Sequence, residues 1–184
     1  MAQEMSPTQE SLKIALILKE RFPDQVLEIR EFRGQVSVIV KHEKIKEILR
    51  YLKEDQGFNH LQDLCGCDYY PATPRFEVVY NLFSIERRLH IRIRAKIFRD
   101  EPEIDSITDL WPGANWHERE CYDMFGISFK GHPDLRRILM PEDWDGYPLR
   151  KDYPLKGKGV WRGFKEILED KNSDFPEQKE RGMK

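Results

Sequence analysis

Residues 76–97 read FEVVYNLFSIERRLHIRIRAKI, and their pattern decides the fold. Apolar and polar side chains alternate on either side of a charged centre, the period of two that half-buried strands show. Closing the stretch at Ile85 and Glu86 pairs Phe76 with Ala95, Val78 with Ile93, Tyr80 with Ile91 and Leu82 with Leu89. All four pairs share one face, and Glu77 comes to lie opposite Arg94 on the other. A slip of one residue would turn the whole apolar set to water. The spacing predicts an antiparallel hairpin with one face that must be covered.

Upstream, VLEIREFRGQVSVIV at residues 26–40 repeats the pattern. A turn at Arg33 and Gly34 pairs Leu27 with Val40, Ile29 with Val38 and Glu31 with Val36. Residues 9–22 carry Leu12, Ala15, Leu16 and Lys19 at helical spacing and stop at Pro23, and residues 43–54 turn Ile45, Ile48, Leu49 and Leu52 to one side. HLQDLCGCDYYP, residues 60–71, is read as a short strand. The predicted fold class is α+β: a two-layer domain over residues 1–125, its antiparallel or mixed sheet built from two helix-plus-hairpin halves. A third helical region, Ser106 to Phe125, closes that domain and is broken at Pro112 and Gly113. Beyond it no segment is periodic. A structureless run far longer than ~15 residues is uncommon inside a compact domain. Residues 126–160 are therefore expected to be a long extended arm that lies on a partner, with 161–184 a charged C-terminal tail.

The 184 residues are enough for one domain with a sizeable core plus an irregular extension. Charged residues make up 35%, above the usual quarter, yet the net charge is only −2, which gives no overall attraction to nucleic acid or anionic lipid. No window approaches eighteen apolar residues, and MAQEMSPTQE lacks the pattern of a signal peptide. Three cysteines without disulfide-framework spacing fit a reducing compartment. The expected location is cytoplasmic, with any membrane association supplied by another protein.

Between domain and arm stands WHERECYDMF, residues 116–125. On a helical wheel Ala114, Cys121, Met124 and Phe125 form the apolar side, and Trp116, Arg119, Glu120 and Asp123 the opposite one. Asn115 with Glu118 three residues on has the form of a capping box. A tryptophan among charges on an outer face is what an interface hot spot looks like. The stretch HERE lacks the second histidine of a zinc helix, Cys121 standing there instead, and Cys65, Cys67 and Cys121 match no zinc ligand spacing. No metal site is expected. In the second hairpin Arg88, His90, Arg92, Arg94 and Lys96 form a basic face that could follow phosphates. With Phe98 as its only aromatic, that face lacks the stacking surface of sheet-type RNA binders. In the arm, Pro141, Pro148 and Pro154 favour extended backbone, and Trp144, Tyr147 and Tyr153 interleave with Arg136, Arg137, Arg150 and a set of acids. Such a segment has too little apolar area to fold by itself, so Trp144 is expected to fill a pocket in another protein. Nothing pairs a nucleophile with a base, and no catalytic residue is expected.

WHERECYDMFGISFKGHPDLRRILMPEDWDGYPLRKDYPL, residues 116–155, closely resembles the signature of the C-type subunit family of proton-pumping NADH:quinone oxidoreductase, respiratory complex I. ERE, YDMFGI, His132, LRRIL, PEDW and PLRKDYPL fall in family order, and the resemblance runs from about residue 10 to 160. It implies a hydrophilic peripheral-arm subunit on the cytoplasmic face of the inner membrane. Its main partner would be the larger D-type subunit, near the quinone site, with other peripheral-arm subunits beside it. NADH, FMN, iron–sulfur clusters and quinone would belong to other subunits, with no cofactor on this chain. Unlike fused relatives, the chain is expected to meet its D-type partner as a separate protein. The interface and motif positions implied are Trp116, Glu118, Arg119, Glu120, Asp123, His132, Arg136, Arg137, Trp144, Arg150 and Tyr153. Cys65 and Cys67 depart from the family, which usually has small or apolar residues there. Two rivals are the equivalent subunit of a related membrane-bound hydrogenase or quinone-linked dehydrogenase, and a free-standing basic-sheet RNA binder.

Overall fold

The computed structural model describes residues 6–98 and 101–157; the tail expected at 161–184 and the last residues of the arm lie outside them. Helix α1 (Pro7–Arg21) opens on a capping box that the periodicity did not reveal. Ser6 Oγ accepts from the Gln9 N–H at 3.3 Å and Gln9 Oε1 from the Ser6 N–H at 3.0 Å, with Pro7 in the first turn. The buried side of α1 is Ser11, Ile14, Ala15 and Leu18, whereas Leu16, expected inward, is exposed. Strands β1 (Val26–Phe32) and β2 (Gln35–Lys41) form the first hairpin. Ile29 faces Val38 and Glu31 faces Val36, but a bulge between Val26 and Glu28 sets Val26, not Leu27, opposite Val40. The extra residue turns Val26 into the core and Leu27 outward. Helix α2 (Ile45–Glu54) follows a short 3-10 turn, and its Ile45, Ile48, Leu49 and Leu52 are fully buried, as their spacing predicts.

Strand β3 (His60–Asp68) forms where a short strand was expected, and β4 (Phe76–Ser84) and β5 (Leu89–Ile97) make the second hairpin. Its register lies two residues from the predicted one: Phe76 faces Ile97, Val78 Ala95, Tyr80 Ile93 and Leu82 Ile91. A two-residue slide keeps every side chain on its face, so alternation cannot distinguish the two pairings. Turn chemistry does. A two-residue hairpin loop favours Gly or Asn at positive φ, which Ile85 and Glu86 do not supply; the loop instead spans residues 85–88, with Arg88 at φ 53°. Glu77 thus faces Lys96, and Arg94 reaches it along the diagonal, Nε to Oε1 at 2.6 Å.

The strand order is β1-β2-β5-β4-β3, and the parallel pairing of β2 with β5 joins the two halves into one mixed sheet. One face, carrying Val38, Leu64, Tyr80, Leu82, Ile91 and Ile93, is buried beneath the helices. The α+β class is as expected. The core continues past residue 100 through β6 (Glu103–Asp105), α3 (Ala114–Phe125) and β7 (Ser128–Lys130), with Ile104 and Phe129 buried where β6 and β7 pair in parallel. Strand β7 lies within the segment read as arm, three residues being too few to show a period. From Gly131 to Gly157 the chain has neither helix nor strand.

Candidate subunit interface

Helix α3 packs on the edge strand β3, where Gly66 leaves room for the Phe125 ring. Its N-cap is Gly113, with no side chain capping it, so Asn115 and Glu118 do not form the expected capping box. Glu118 turns inward instead. Its Oε1 accepts from the Ile107 N–H at 2.7 Å, fixing the turn that precedes the helix, while Oε2 and the Tyr80 hydroxyl are buried without hydrogen-bond partners. Burial pushes the Glu118 carboxyl up to about 7, against the hydrogen bonds from Ile107 and Ser106 that favour its ionised form.

The outer side of α3 is buried as well, because the arm lies on it. Asp123 is fully enclosed: Oδ2 accepts from three successive backbone N–H groups, Ile138 at 3.0 Å, Leu139 at 2.7 Å and Met140 at 2.8 Å. Its Oδ1 accepts from Arg137 Nη1 at 2.7 Å. Burial opposes ionisation here too, but the backbone donors and the guanidinium outweigh it and hold the carboxyl below the usual range. The other end of Arg137 donates from Nη2 to the Trp144 and Gly146 carbonyls, each at 3.1 Å. Arg119, beneath the Trp116 ring, donates to the carbonyls of Arg136 and Arg137. The wheel placed Arg119 and Asp123 on a solvent side; the structure gives both to the chain's own arm.

At the C-terminal end of α3, Gly126 adopts a left-handed φ of 71°. Arg150 Nε donates to the Phe125 carbonyl at 2.6 Å and the Leu149 N–H to the Met124 carbonyl at 3.1 Å, so the arm satisfies carbonyls that end a helix. A Cβ on Gly126 would meet Tyr147 and Arg150 within 2.6 Å. The Arg150 guanidinium lies between the Tyr147 and Phe76 rings, and burial lowers its affinity for the proton. Further on, the Lys151 N–H donates to Asp68 Oδ2 at 2.8 Å, and Arg75 bridges Asp68 and Asp152. His132 accepts the Asp134 N–H at Nδ1, so Nε2 carries the proton offered to the Asn115 carbonyl at 3.3 Å. Tyr153 donates from its hydroxyl to the Asp145 carbonyl.

Most of the expected interface residues are thus brought together along one seam, but as internal ties. Trp144 is half-buried on its own chain, with its ring N–H enclosed and without an acceptor. What remains on the outside is apolar or surface charge: Trp116 is 62% exposed, Leu139 61% and Leu149 51%, with Glu120 and Arg136 exposed beside them. The leucines were absent from the expected set, since an apolar residue in an aperiodic segment carries no signal of which way it faces. On the far side of the sheet the basic residues are engaged in the sheet plane. Arg94 pairs with buried Glu77, Arg92 donates to Asn81, and His90 bonds Gln62 and packs on Phe83 at 4.4 Å. Phe83 and Tyr69 add aromatic groups to that face beyond Phe98, but Arg88 sits in the turn and leaves it.

A two-layer body with its longest aperiodic segment pinned along one helix, and with an apolar fringe outside that seam, is the form of a protein built to be joined to others. Comparison with known proteins agrees. Residues 38–159 match the model of the family described as respiratory-chain NADH dehydrogenase, 30 Kd subunit. The C-type NADH-quinone oxidoreductase subunit of Geotalea uraniireducens (strain Rf4) is 48% identical over 83% of this chain and 93% of its own length. Its counterpart in Roseiflexus sp. (strain RS-1) is 52% identical over 78% and 83%. The trypsin-resistant fragment (1–134) of Nqo5 superposes with a TM-score of 0.59 at 34% identity, covering 71% of this chain and 100% of the fragment. A chain of an archaeal membrane-bound sulfane sulfur reductase shares the fold with a TM-score of 0.67 at 23% identity, over 95% of this chain and 99% of its own. The chain belongs to the 30-kDa subunit family of respiratory-chain NADH dehydrogenase, the C-type subunits of the NADH-quinone oxidoreductases.

Proposed function

We infer that this chain is a non-catalytic structural subunit of the peripheral arm of an NADH:quinone oxidoreductase, joined chiefly to the D-type subunit near the quinone site through the outer edge of the α3–arm seam. The observation that carries this reading is a division of roles. The charged motif residues Arg119, Asp123, Arg137 and Arg150 hold the arm to its own body, while Trp116, Leu139 and Leu149 are left outward along it. Apolar and aromatic side chains ordered by a rigid base lose little conformational freedom on docking. Electron transfer from NADH to quinone, coupled to proton translocation, belongs to the assembly, with NADH, FMN, iron–sulfur clusters and quinone carried by other subunits. This chain contributes position. Attachment to the cytoplasmic face through the complex is part of this reading; no helix among the described residues is long and apolar enough to cross a membrane. Deleting the gene should abolish NADH:quinone reductase activity of membranes, and supplying the chain in trans should restore it, while the purified chain alone oxidises no NADH. Full activity in membranes lacking the chain would refute the reading.

A further inference from the structure

Cys65 and Cys67 stand two residues apart on β3, an edge strand, and so share a face. It is the face away from α3, since Gly66 between them abuts the Phe125 ring and Cys121 is buried on the helix side. Both thiols are free and half-buried. Beyond the pair on the same face, the Tyr69 hydroxyl accepts from Arg94 Nη2 at 3.0 Å. Among the described residues no third histidine, cysteine or carboxylate completes a larger ligand set.

Distances decide what such a pair can hold. Side chains two apart on a strand leave the backbone about 6.6 Å from one another. A disulfide needs its Cβ atoms about 4 Å apart, which would buckle β3 and pull Gly66 off Phe125. Two metal–thiolate bonds of about 2.3 Å, arranged in line, span about 4.6 Å between sulfurs and require only a small inward lean. Zinc seeks four ligands, whereas soft thiolates select ions such as Cu(I).

We propose that Cys65 and Cys67 form a two-thiolate site for a soft monovalent cation of the Cu(I) or Ag(I) type. The site lies outside the α3–arm seam and does not depend on the subunit role. Its sequence signal is the CGC triplet, which a search for tetrahedral ligand spacings passes over. The full chain, reduced and anaerobic, is titrated with Cu(I) against bicinchoninate. One equivalent should be taken up per chain. Cys65→Ser and Cys67→Ser should each weaken binding at least a hundredfold, Cys121→Ser should leave it unchanged, and melting temperatures recorded in parallel should show the variants folded. If a serine variant unfolds, the alanine variant at the same position is used. No uptake by the native chain, uptake indifferent to Cys65 and Cys67, or uptake lost with Cys121 would each overturn the proposal.

Discussion

Two carboxylates about one and a half turns apart on α3 behave oppositely because of what surrounds them. Glu118, buried with one oxygen unpartnered, is harder to ionise in the folded chain than in the unfolded one. Its contribution to stability is therefore full below the ordinary carboxylate range, falls as pH rises toward about 7, and is flat above that. The loss is on the order of 3 kcal/mol. Glu118→Gln keeps an acceptor for the Ile107 N–H and removes the titration, so its melting temperature should exceed that of the native chain at pH 8 and match it near pH 4.5. Equal melting at both pH values would show that Glu118 is hydrated. Asp123 has the reverse sign: held ionised by three N–H groups and Arg137, it stabilises above the usual carboxylate range and loses that contribution as pH falls through its lowered value. Asp123→Ala leaves Arg137, with a side chain only 14% exposed, without its partner. Breaking such a pair costs roughly 3–5 kcal/mol. Limited proteolysis should then cut between Gly131 and Gly157 while far-UV dichroism of the body persists; an arm that stays protected would mean its anchorage lies elsewhere.

Among the elements, α3 is held between β3 on one side and the arm on the other, and small residues set both spacings. An added Cβ at Gly66 would lie 2.7 Å from Phe125 Cδ2, and a ring wedged between helix and sheet cannot yield without moving α3. Gly66→Ala should lower stability by roughly 1–3 kcal/mol. Gly113→Ala, where nothing lies within 4 Å, should be near neutral, and thermal unfolding of the two distinguishes packing from a general cost of replacing glycine. Alternation and helical spacing made α2, the two hairpins and the sheet's buried face legible in the sequence. The register of the β4–β5 hairpin was not, because a slide of two residues conserves every face. Nor was the burial of Arg119 and Asp123, since a helical wheel assigns a side and cannot foresee that an aperiodic segment returns to cover it. Several residues of the family motif, Arg119, Asp123, Arg137 and Arg150 among them, lie along the seam, but the motif could not say that their bonds there would be internal.

Across the chain as a whole, the internal use of the motif charges explains how a segment too polar to fold alone becomes a rigid surface. Arg137, Arg150 and Asp68 fasten it at intervals, and the residues between the fastenings are displayed. Trp144 is half-buried on its own chain, and its backbone carbonyl accepts from Arg137. On the proposed reading, it is the exposed Trp116, Leu139 and Leu149 that join the chain to the respiratory complex. Affinity purification of the tagged chain from detergent-solubilised membranes checks this, native beside a Trp116→Glu, Leu139→Glu, Leu149→Glu variant, with the melting temperature of each isolated chain measured alongside. Those three positions are exposed, so the variant should melt within a few degrees of the native chain. The native chain should bring down the other subunits in equal proportion with NADH:quinone reductase activity, and the variant should emerge alone. A folded variant that still copurifies with the whole complex would mean that the joint lies elsewhere on the molecule.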